Sequence, residues 1–138
     1  MKSERPQTRL LDQLRSAGLR LTRQRLALAK LLFGSMERHV TAEMLHGEAQ
    51  AARVSVSLAT VYNTLHQFTD AGLLKEIMVD SGRSYFDTNT SHHHHFYCET
   101  SGELSDIDDA DVAIELLLEP PSGKEVSGID VIVRVKSN

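Results

Sequence analysis

Cysteine occurs once in this 138-residue chain, at Cys98. A single thiol cannot close an intrachain disulfide, which fits a reducing cytoplasm, and it excludes a zinc site built from four thiolates of one chain. No stretch of about 18 apolar residues exists, which excludes an ordinary transmembrane helix. The opening segment, MKSERPQTRLLDQLRSAG, is charged and has no apolar centre of a secretory signal. G-x-S-x-G, a glycine-rich phosphate loop and H-E-x-x-H are all missing, so no enzyme of those classes is expected. No Pro/Gly-rich linker divides the chain, and no repeat of about 20–50 residues runs through it.

The composition, 41% hydrophobic and 25% charged, suits one or two small domains with a modest core. The net charge of −4 conceals an asymmetry. Residues 1–91 hold 12 Lys/Arg against 9 Asp/Glu, whereas residues 92–138 hold 3 against 10. A basic front on an acidic chain points to a polyanion partner at one end and a different task at the other. A merely solvated helical surface would give the same pattern.

Residues 6–17 read as a helix broken at Gly18, with Leu10, Leu11 and Leu14 on one side. Thr22, Thr41 and Ser57 can each cap a following helix, covering RQRLALAKLLFGS, AEMLHGEAQAAR and LATVYNTLHQFTDAG. In the last of these, Leu58, Val61, Tyr62, Leu65 and Phe68 share one arc, with Tyr62 at its edge. Ala59, Thr60, Asn63 and Gln67 share the opposite arc. An ordinary solvent-facing helix carries Lys and Glu there. Small hydrogen-bonding residues near a helix N-terminus suit base edges and phosphates instead. Two β-rich runs then flank Asp80-Ser81-Gly82 as a hairpin, with Arg83 at its tip in reach of a phosphate. Helix-turn-helix followed by a hairpin predicts a winged-helix DNA-binding domain over 1–90. The alternative is a small helical domain that binds no DNA.

Residues 91–138 predict a small α/β unit for dimerisation and ligand sensing. HHHFYCE and GELSDI read as strands around Thr100-Ser101-Gly102. DDADVAIELLLE reads as a helix stopped by Pro120-Pro121, and GIDVIVRVK as a final strand. A unit this small buries little core alone and gains by pairing with a second copy, so a homodimer is expected. The whole is then an α+β chain, with a winged helix ahead of a smaller α/β domain.

The run SHHHHFYC carries four of the seven histidines. On a strand, side chains alternate, so His93 and His95 point one way and His92 and His94 the other. Neutral imidazole suits iron, zinc, copper and nickel, and serves as an axial ligand to haem iron. All four histidines are haem candidates, and a divalent ion would need more ligands than one pair supplies. His39, in a loop before the third helix, and Asp87, at the end of the hairpin, are candidates for that role. The alternative is a polar loop. Cys98 has no C-x-x-C partner and reads as a buried small hydrophobe. His46 and His66, on helices, read as surface or core histidines and not as ligands.

GLRLTRQR, HVTAEMLH, SLATVYNTLHQFTDAGLL, GRSYFD and HHHHFYCETSGEL occur in that order and together resemble the ferric uptake regulator (Fur) family of bacterial metal-dependent repressors. The unbroken histidines and the missing C-x-x-C pairs are most similar to its iron response regulators (Irr) of alphaproteobacteria. The resemblance implies a cytoplasmic dimer that binds A/T-rich inverted-repeat operator DNA and is released by haem. It implies DNA contacts from Arg20, Ser57, Thr60, Tyr62 and Asn63, and a metal site of His39, Asp87, His93 and His95. The rival of the same fold is an Fe2+- or Mn2+-dependent repressor, in which the ion strengthens DNA binding. A metal- or haem-buffering protein and a thiol enzyme acting through Cys98 are the rivals from other classes.

Overall fold

A computed structural model describes residues 6–138 apart from Leu21, Ser35, Ser81 and Leu116, with only the backbone of residues 6–8. The chain divides into two compact units, residues 1–90 and 91–138.

Among its described residues, the first unit holds four helices: α1 (Pro6–Ser16), α2 (Arg23–Phe33), α3 (Ala42–Ala51) and α4 (Leu58–Asp70). Each of the last three starts on a hydroxyl cap. Thr22 accepts from the Arg25 amide, Thr41 from Met44 and Ser57 from Thr60, all at 3.1 Å. Each bond satisfies an amide that the first helical turn leaves without a partner. Gly18, at φ +76°, ends α1 in the left-handed region, where a side chain would be strained. Residues 52 and 53, expected in α3, fall beyond its end.

Leu14, Leu28, Leu32, Leu45, Val61, Leu65 and Phe68 meet in one core with Val40 and Phe86 from the sheet. On α4, Thr64 is buried whereas Leu58 and Tyr62 are only half-buried. The apolar arc is thus centred one position away from the expected one. Replacing Thr41 by alanine removes the Met44 amide's acceptor, with an expected loss of about 1 kcal/mol. Thermal melting followed by circular dichroism should then show a midpoint lowered by about 4–8 °C.

The wing is a three-stranded antiparallel sheet in the order β1 (His39–Val40), β3 (Arg83–Asp87), β2 (Lys75–Asp80). His39 was expected in a loop. It sits instead on an edge strand, directly opposite Asp87. Around it, Arg38 makes a forked ion pair with Glu48 of α3, which holds the guanidinium still more firmly protonated. The Arg38 and Thr88 backbones also bond at 3.1 Å.

In the second unit, β4 (His94–Cys98) pairs antiparallel with β5 (Leu104–Ile107) and parallel with β6 (Ile132–Val135). The helix expected over 108–119 is not formed. Only a 3₁₀ turn, Asp109–Asp111, is present among the described residues. Its would-be apolar stripe is exposed, with Leu117 at 87% and Leu118 at 69%. A helix this short is stabilised mainly by burying its stripe, and among the described residues Ile114, Leu117 and Leu118 of that stripe stay exposed. Among the described residues, no helix is long and apolar enough to cross a membrane.

Candidate metal and nucleic-acid sites

The first unit pairs an imidazole with a carboxylate. Strand pairing sets His39 opposite Asp87, and His39 Nε2 lies 3.0 Å from Asp87 Oδ2. The Asp87 side chain is 1% exposed, and its other oxygen accepts the Asn89 amide at 2.8 Å. A carboxylate this deeply buried requires such partners.

The second unit presents a denser cluster. His93 and His95 share a face, with ring centroids 4.5 Å apart. Asp106, opposite His95 in the β4–β5 register, sets one oxygen 3.1 Å from His93 Nε2 and 3.4 Å from His95 Nε2. Both imidazoles are buried. His93 Nδ1 lies 2.8 Å from the Ser91 carbonyl oxygen. A carbonyl only accepts, so the Nδ1 proton is donated there. In neutral His93, the Nε2 lone pair is then aimed at a carboxylate oxygen, which also carries only lone pairs. That contact is favourable only with a positive charge between or upon them, either an extra proton or a metal ion. Orienting a ligating imidazole through its second nitrogen is how metal sites fix the tautomer.

The opposite face differs. His92 and His94 lie edge to face, centroids 5.0 Å apart, and Asp109 completes a group of three. The His94 Nδ1 lone pair is already occupied, accepting the Val131 amide at 3.1 Å, which leaves the proton on Nε2. His92 Nε2 donates to the Ile129 carbonyl at 2.8 Å. These bonds tie the chain before β6 to β4, so this pair is engaged in holding the sheet. His94 and His95 are each 3% exposed. A flat macrocycle would have to displace neighbouring chain to reach either.

The face of α4 expected to meet DNA is open. Ser57, Ala59 and Asn63 are exposed, and Thr60 and Tyr62 half-exposed. Arg20 and Arg83 are exposed as well. The Tyr62 hydroxyl donates to Glu43 of α3 at 2.7 Å. Cys98 is half-exposed, which corrects the buried reading. The Ser101 side chain hydrogen-bonded to the thiol lowers its pKa.

Asp106, Asp109 and Glu43 escaped the sequence reading. Asp106 was accessible to it: counting back across the 100–102 turn places it opposite His95. Asp109 was assigned to a helix that does not form. Glu43 is joined to Tyr62 only by the packing of α3 on α4.

Comparison with known proteins gives a consistent result. The sequence matches the ferric uptake regulator family over residues 16–119. The peroxide-responsive repressor PerR of Staphylococcus aureus is 39% identical over 97 residues, covering 70% of this chain and 65% of that protein. PerR of Staphylococcus epidermidis is equally similar, with 64% of its length covered. The match thus spans a little under two-thirds of these relatives. Among solved structures, the ferric uptake regulator of Pseudomonas aeruginosa with manganese is 29% identical with a TM-score of 0.69, covering 92% of this chain and 96% of that one. The Vibrio cholerae ferric uptake regulator is 26% identical with a TM-score of 0.72, covering 91% and 98%.

Proposed function

Because the chain belongs to the ferric uptake regulator family, we propose that it is a dimeric winged-helix transcriptional repressor whose operator affinity is raised by a divalent cation. The ion would be held by His39, Asp87, His93 and His95, with Asp106 as a further donor. The observation that carries this reading is the clustering of His93, His95 and Asp106, in which two imidazole Nε2 atoms lie 3.1 and 3.4 Å from one carboxylate oxygen. Three imidazoles and carboxylate oxygens suit Mn2+, Fe2+ or Zn2+. The ion supplies charge that draws together donors otherwise repelling one another. Binding of the ion would favour one conformation of the dimer, and so a single spacing of the recognition helices. The manganese in the Pseudomonas aeruginosa structure agrees with this choice of cation.

Release by haem, the response of the Irr subgroup, has less support than cation binding. The four histidines would be its ligands, but His94 and His95 are nearly fully enclosed, and His92, His93 and His94 bond to the chain before β4 and β6. A peroxide response is a second reading of the signal, favoured by the naming of the Staphylococcus relatives as peroxide-responsive. DNA contacts would come from Arg20, Ser57, Thr60, Tyr62, Asn63 and Arg83.

Selection from a random duplex library in Mn2+ tests the reading. An A/T-rich inverted repeat should be enriched, and absence of any enriched sequence would overturn it. Hemin or hydrogen peroxide added to the complex on that duplex then identifies the signal by which one releases it.

A further inference from the structure

We propose that Glu43 sets base specificity by binding the Tyr62 hydroxyl proton, so that Tyr62 meets the major groove only as a hydrogen-bond acceptor. The proposal rests on α4 being the helix that enters the groove.

Tyr62 stands beside the exposed Asn63 and donates its hydroxyl proton to Glu43 Oε1 at 2.7 Å. An ionised carboxylate has no proton to give, so the direction of this bond is fixed. A phenol has one proton. With that proton committed, its oxygen offers only lone pairs outward. In the major groove, the groups that can meet it are the exocyclic amines of adenine and cytosine. Thymine O4, guanine O6 and N7, and phosphate oxygens are acceptors and are refused.

A glutamine at this position could donate or accept, and would leave the phenol free to turn. Only a carboxylate enforces one direction. Glu43 also stays ionised at neutral pH. The Tyr62 hydroxyl, and with it the charge of Arg83 at the hairpin, holds its carboxyl below the usual range. The carboxylate in turn raises the Tyr62 pKa, so the proton remains on the phenol. A negative charge beside a phosphate-binding surface lowers general affinity. Its presence there is accounted for by discrimination between bases.

Duplex selection with wild type, Glu43→Ala, Tyr62→Phe and the double variant tests this at fixed salt. Wild type should prefer adenine or cytosine about tenfold at one operator position. Replacing that adenine by purine, which has no N6 amine, should lose the same factor. Glu43→Ala and Tyr62→Phe should each erase the preference at that position, and the double variant should change nothing more. A purely structural role would weaken all sequences alike. If Glu43→Ala fails to fold, the isosteric Glu43→Gln should relax the preference at the same position. An operator enriched by wild type with unchanged base preferences in these Glu43 variants overturns this proposal alone. No enrichment by wild type overturns the DNA-binding reading together with it.

Discussion

Replacing His93 and His95 together by alanine is expected to weaken Mn2+ binding by a factor of about 100 or more, measured by calorimetry. Loss of groups that merely orient a ligand already costs about 10–100-fold. These two are proposed ligands themselves, with Nε2 atoms 3.1 and 3.4 Å from a shared carboxylate oxygen. Asp106 is half-exposed and regains water when the imidazoles go, so the variant should still fold. His92→Ala is the control. Its ring is exposed and its Nε2 bonds to a backbone carbonyl, so Mn2+ affinity should stay within a few-fold of wild type. His39→Ala adds a separate arm. A loss comparable to that of either His93 or His95 alone supports His39 as a ligand of the same ion. An unchanged affinity would confine the ion to the second unit.

Raising salt from about 50 to about 200 mM is expected to weaken operator binding by on the order of 10³ or more, if each dimer covers several phosphates. The source is the basic front of the first unit, where Arg9, Arg15, Arg20, Arg23 and Lys30 are all exposed. Each phosphate they neutralise releases condensed counterions, and added salt opposes that release. Mn2+ is held saturating throughout, so the slope reports phosphate contacts and not metal occupancy. A shallow slope would leave the helices as a support for the histidine cluster, as in a metal-buffering protein. Fluorescence anisotropy on a labelled operator measures it.

The features that sequence made legible are those decided within a few residues. Thr22, Thr41 and Ser57 cap the next turn of their own chain, and Gly18 and Gly82 terminate elements at φ +76° and +77°. Strand alternation likewise places His93 with His95 and His92 with His94. What stayed hidden depends on packing. The 108–119 segment has helical periodicity, but a pattern does not show what will cover an apolar stripe. Cys98 reads as a buried residue, yet it shares a sheet face with Phe96, which is 38% exposed. The parallel pairing of β6 with β4 spans a long connection that no local signal predicts. At the histidine cluster, residue types were legible while the tautomers were not. Those follow from contacts with Ser91 and Val131, and they distinguish the His93/His95 face, proposed to hold a cation, from the His92/His94 face engaged in the sheet.

Operator affinity of the purified protein in excess Mn2+, against the same protein in excess chelator, tests the central claim most directly. The account predicts that Mn2+ tightens binding tenfold or more, about 1.4 kcal/mol of coupling between the two sites. Affinity that is unchanged or lowered by Mn2+ would contradict it.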